Sequence, residues 1–107
     1  MQKNTIVRGT TPTIIFRYSD VNVSEITTAF LTIKQSTETV ISRDISTSTA
    51  DVEANTLEWT LTQEETLNLN VGSSTFIVCD WVLGSGTRGR SQVCRCEVEP
   101  SGKNTII

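Results

Sequence analysis

A chain of 107 residues, 36% hydrophobic and only 6% aromatic, has the size of one domain with a modest, mainly aliphatic core. Its net charge of −3 and pI of about 4.8 exclude the basic stripe that nucleic-acid binding requires. No apolar run approaches the roughly 20 residues of a membrane helix, and no apolar stretch follows Lys3 as a secretion leader would. The chain is therefore expected to be made and kept in a cytoplasm until it is assembled.

In chain order, Asn4 to Val7 is a short strand candidate, broken by Arg8-Gly9-Thr10-Thr11-Pro12. From Thr13 to Tyr18 the pattern alternates, with Ile14, Phe16 and Tyr18 assigned to the core. Ser19 to Asn22 is a turn. Glu25 to Gln35 is the next strand, with Ala29, Leu31 and Ile33 on one face and Thr28, Phe30, Thr32 and Lys34 on the other. Its hairpin partner runs from Thr39 to Ile45, with Thr39, Ile41 and Arg43 on the face opposite Val40 and Ser42. The polar stretch 46–55 is expected to be a loop. Asn55 to Thr62 alternates cleanly, with Leu57, Trp59 and Leu61 inward.

Thr62-Gln63-Glu64-Glu65 is a capping box, Thr at the N-cap with Glu three residues on, and predicts a short helical turn over 62–69. The two acids belong to the helix dipole and not to catalysis. Ser74 to Glu99 reads as a long hairpin, two central strands joined by Gly84-Ser85-Gly86-Thr87-Arg88-Gly89-Arg90. Ile77, Cys79, Trp81 and Leu83 share one face of its first strand. Phe76, Val78, Asp80 and Val82 share the other. In its second strand Cys94, Cys96 and Val98 point inward, and Val93, Arg95, Glu97 and Glu99 outward. Lys103-Asn104-Thr105-Ile106 repeats the tetrapeptide Lys3-Asn4-Thr5-Ile6, which reads as a chance coincidence of four residues; the alternative is that both ends form similar edge strands.

Seven short strands and one helical turn predict an all-β, immunoglobulin-like antiparallel β-sandwich over residues 1–100, followed by a tail over 101–107. A small barrel is the rival fold.

The chemistry is mostly defined by exclusion. There is no histidine, so the usual base for nucleophilic catalysis and the usual fourth ligand for three thiolates are both missing. The cysteines read as small core residues, although a disulfide across neighbouring strands is an alternative. No carboxylate pair is nominated, and the glycine-rich loop joins two strands, which fails the test for a phosphate loop. No catalytic residue, cofactor, metal or small-molecule substrate is expected. Asp80 is the one acid inside an apolar strand; it sits at a rim or pairs with Arg95.

Phe30, Phe76, Val78 and Val82 lie opposite the core faces. A strand apolar on both faces needs cover on both, from a loop of the same chain or from another subunit. Arg88 and Arg90 add a basic knob that would suit an acidic neighbour. These six residues are the candidate protein interface.

Three phrases carry a resemblance: Ile6-Val7-Arg8-Gly9-Thr10-Thr11-Pro12-Thr13, Ala29-Phe30-Leu31-Thr32-Ile33, and Leu61-Thr62-Gln63-Glu64-Glu65-Thr66-Leu67. The chain up to about Val98 resembles small proteins of phages and prophages of Gram-positive gut bacteria, similar to the N-terminal sandwich domain of phage upper baseplate proteins. It departs from them in its three cysteines and in carrying less charge in the last hairpin. The resemblance implies a virion structural or adaptor protein of the tail, baseplate or neck. Its partners would be other virion proteins and copies of itself. The alternative is a capsid decoration module or a binder of host glycans. That alternative needs exposed aromatic platforms, and both indoles, Trp59 and Trp81, are assigned to the core.

Overall fold

The computed structural model describes residues 4–91 and 93–100. Among the described residues the chain forms nine strands in two layers, the longer ones built on period-two alternation of β-branched and aliphatic residues. They are β1 (Asn4–Val7), β2 (Thr13–Arg17), β3 (Ile26–Gln35), β4 (Glu38–Asp44), β5 (Thr49–Asp51), β6 (Thr56–Thr60), β7 (Thr75–Leu83), β8 (Arg88–Arg90) and β9 (Cys94–Glu99). One short helix, α1 (Gln63–Leu67), follows β6. The larger sheet runs β1-β9-β7-β3-β4 with β8 also on β7, and the smaller runs β2-β6-β5. Two separate sheets make a sandwich and not a closed barrel.

The core lies between them. Phe16, Leu57 and Trp59 from the smaller sheet face Ala29, Leu31, Ile33, Ile41, Ile77, Cys79, Cys96 and Val98 from the larger. Trp59 is fully buried and meets the Phe16 ring edge-on, at 5.9 Å between centroids and 82° between planes. Its indole N–H donates to the Asp44 carbonyl oxygen at 2.9 Å, which ties β6 to the far end of β4. Ile6, 2% exposed, closes the core from β1.

Four expectations need correction. First, the sandwich is not wholly antiparallel, because β1 runs parallel to β9, with Asn4 opposite Cys96 and Val7 opposite Glu99. Alternation reveals faces, not direction. Second, the polar stretch 46–55 is only partly a loop: Ile45–Thr47 forms a 3-10 turn, and Thr49–Asp51 pairs with β6 although all three residues are exposed. Backbone pairing alone holds β5, so no apolar pattern announced it. Third, the last hairpin does not return as one strand. β8 pairs with the distal half of β7 and β9 with its proximal half. Fourth, alternation fails at Val40. The register between β3 and β4 shifts after Ile33, and Val40 and Ile41 both pack on the core. The repeat at residues 103–106 and the tail over 101–107 lie outside the described residues.

The helical turn is as the capping box requires. Thr62 Oγ1 accepts from the Glu65 backbone N–H at 3.1 Å, and Glu65 Oε1 accepts from the Thr62 N–H at 2.8 Å. The helix anchors the turn after β1. Gly9, at φ 79°, gives its N–H to Thr66 Oγ1 at 3.0 Å, and the Thr66 hydroxyl donates to the Thr10 carbonyl at 2.9 Å. Arg8 reaches the Leu67 carbonyl at 2.8 Å, a cation at a helix C-terminus.

Candidate protein-interaction face

Five strands of the larger sheet shape its outer surface. Cross-strand register puts Asp44, Phe30, Asp80 and Arg90 in one row across β4, β3, β7 and β8. The next rows hold Thr32 beside Val78, and Lys34 beside Phe76 beside Arg95. Toward the distal end Thr28, Val82 and Arg88 line up. Four of the six singled-out side chains therefore belong to β3 and β7, and both arginines join them from β8.

Their exposure separates them. Phe30 is 46% exposed, in the middle of its row and between two acids. Phe76 and Val82 are half-buried. Val78 is only 8% exposed, yet it stands outside the core cluster, on the opposite side of the sheet from it. An open depression of about 440 Å³ surrounds it, lined among others by Lys34, Phe76, Asp80, Arg90 and Val93. So the cover that Val78 needs comes from its own chain, and Val78 is removed from the docking residues. The exposed Val93, 51% accessible, joins them instead. Its outward parity was readable in the sequence; its position at the mouth of a depression was not.

The Asp80 expectation is half corrected. Asp80 does sit at a rim and pairs with an arginine, but the partner is Arg90 and not Arg95. Arg90 Nε donates to Asp80 Oδ1 at 2.5 Å, and Asp80 in turn raises the guanidinium pKa through that hydrogen bond. Arg95 falls opposite Phe76 because the chain leaves β7 after Arg90 and rejoins it at Cys94. The basic knob is thus divided. Both arginines are exposed, but Arg90 is paired with Asp80, while Arg88 stands opposite Val82.

Beneath this face Cys79, Cys94 and Cys96 form no disulfide. Cys79 faces Ser91, whose Oγ accepts its backbone N–H at 2.8 Å, while Cys94 lies opposite Ile77 and Cys96 opposite Thr75. Burial pushes the Cys79 thiol up, and it pushes Cys96 up to about 11. Both therefore stay protonated, and weakly nucleophilic, at neutral pH. The Tyr18 hydroxyl donates to Cys79 Sγ at 3.2 Å and is itself raised by burial. Among the described residues no group of three His, Cys, Asp or Glu side chains comes together to hold a metal ion. No described helix is long and apolar enough to cross a membrane.

Of the two indoles, Trp59 is inaccessible. Trp81 is half-buried, with the Tyr18 ring edge-on at 6.5 Å on the inner side of the sheet. Neither is displayed on the face that carries Phe30.

No family model matches the chain, and no curated protein matches it. Among solved structures, the immunoglobulin-like domain of mouse leukocyte-associated immunoglobulin-like receptor 1, solved as a strand-swapped dimer, is similar with a TM-score of 0.52 at 15% identity. The similarity covers 91% of this chain and 88% of that one. At that identity the likeness concerns the fold alone: the chain is an immunoglobulin-like β-sandwich.

Proposed function

We propose that this protein is a non-catalytic structural or adaptor component of a bacteriophage particle, in the tail, baseplate or neck. In this reading it is assembled in the bacterial cytoplasm and works through contacts with other virion proteins and with copies of itself. The observation that carries the contact role is the outer face of the larger sheet. Phe30 and Val93 are 46% and 51% exposed there, and Phe76 and Val82 are half-buried beside them. Charged groups of both signs surround them: Asp44, Asp80, Arg88 and Arg90. An apolar centre with a charged rim is how a protein interface is built. The phage assignment is supported by the resemblance of the segments 6–13, 29–33 and 61–67. Self-association is supported more weakly, by a solved neighbour of the same fold that is a dimer.

The test is co-purification of the full chain with the products of adjacent genes, with light scattering of the chain alone. The expected result is a complex with tail or baseplate proteins that Phe30→Asp dissolves without unfolding the sandwich. A monomer at all concentrations, encoded among metabolic genes and binding no structural protein, would overturn the reading.

A further inference from the structure

The outer face of the larger sheet carries its own complement. Register sets three neighbouring rows of side chains across it. In the first, Phe30 stands between Asp44 and Asp80, with Arg90 beyond Asp80. In the third, Phe76 stands between Lys34 and Arg95. Each row is a ring between two like charges, and the two rows have opposite signs. The row between them is uncharged: Ser42, Thr32 and Val78. Phe30 and Lys34 are four residues apart on one strand, so the charged rows lie about 13 Å from each other. Arg90 offsets Asp80, which leaves the first row acidic through the exposed Asp44. The third row is basic through two exposed cations.

Shape follows the same division. Phe30, 46% exposed, projects from the first row. The depression of about 440 Å³ reaches over the other two, where Thr32, Val78, Lys34 and Phe76 line it. One face therefore holds both a protruding ring and a hollow with room for one.

We propose that this face docks on the same face of a second copy, as a two-fold dimer whose axis lies in the interface along the Thr32–Val78 row. Such an axis exchanges the outer rows. Phe30 of each copy enters the depression of the other, and the acidic row of each copy meets the basic row of the other. Isologous contact demands self-complementarity of this kind. An axis along the strands would set each row on itself, cations against cations, and charge excludes it. The proposal rests on the contact role given to this face above and commits the face to one occupant. The face is small: five strands about 4.8 Å apart, followed over about 20 Å, give roughly 500 Å² per copy. A standard interface takes about 800 Å² per partner, so the dimer forms at high protein concentration and separates on dilution.

The test is sedimentation velocity of the full chain across the micromolar to millimolar range. The expected result is a monomer–dimer equilibrium. Lys34→Glu with Arg95→Glu weakens it about tenfold, and so does Asp44→Lys alone, each a loss of charge pairing across the interface. Mixing these two variants restores association, because both halves of the contact regain opposite charges. Circular dichroism confirms that each variant is folded. Thr32→Arg places like charges on the axis and abolishes the dimer; it serves where Asp44→Lys disturbs the 3-10 turn that Asp44 caps. A chain monomeric throughout the range overturns the proposal. So does a dimer indifferent both to Thr32→Arg and to the double reversal at Lys34 and Arg95. If the monomeric chain still binds the product of an adjacent gene, and Phe30→Asp abolishes that binding, the second copy alone has failed and the interface role survives.

Discussion

Gly89 lies flat against the indole of Trp81, its partner across the β7–β8 ladder; a β-carbon at position 89 would fall 2.1 Å from Trp81 Cζ2. The glycine is there because the ring occupies the space, not because the backbone needs freedom. Gly89→Ala should cost about 1–3 kcal/mol by forcing Trp81 out of its position, read as a lower denaturation midpoint and altered tryptophan fluorescence. Gly84→Ala is the control. Its new carbon would meet Thr27 Cγ2 at an ordinary 3.6 Å, and the change should stay within about 0.5 kcal/mol.

Thr66 is fully buried and serves two partners across the sandwich, the Gly9 N–H and the Thr10 carbonyl. Thr66→Val keeps the shape and removes the hydroxyl. It should destabilise by about 1–3 kcal/mol because a backbone N–H loses its acceptor. Hydrogen exchange at Gly9 should accelerate more than exchange in β3.

Glu65 has a double role. Besides closing the capping box it accepts from Arg43 Nη1 at 2.7 Å, linking α1 to β4. Glu65→Ala should cost about 1–2 kcal/mol in chemical denaturation. Glu65→Gln keeps the cap and loses the charge, so it should recover most of that stability.

Val78 and Phe30 share the outer face but not their fate. Val78→Ala should cost about 1–3 kcal/mol, since it empties a buried site. Phe30→Ala should cost less than half as much in the isolated protein while weakening any complex formed through this face. Equal losses of stability would mean that Phe30 is a packing residue only.

Cys79, Cys96 and Tyr18 set the alkaline limit. Their folded pKa values lie above the ordinary ones, for Cys96 about 11 against 9. The unfolded chain therefore releases these protons first as pH rises. Stability from this source is complete below about pH 9 and declines through pH 11. Cys96→Ala and Tyr18→Phe should each flatten that decline in urea titrations followed by circular dichroism.

Much of this fold was legible in side-chain parity. Ile14, Phe16 and Tyr18, then Leu57, Trp59 and Leu61, were assigned inward, and they line or flank the core. Thr62 and Glu65 announced α1 because capping is local chemistry. What parity cannot carry is the third dimension. Val78 has outward parity and is nonetheless buried. Asp80 chooses Arg90 because the chain pauses between Arg90 and Cys94. Strand β5 has no apolar residue that needs burial, so only the neighbouring backbone of β6 reveals it.

The parallel seam between β1 and β9 also decides how the domain bears load. Tension applied upstream of Asn4 and downstream of Glu99 pulls the two strands past each other along their length, since each is gripped at the opposite end of the seam. All of its hydrogen bonds must then yield together instead of opening one by one. A domain pulled through these two points resists being torn open along that line.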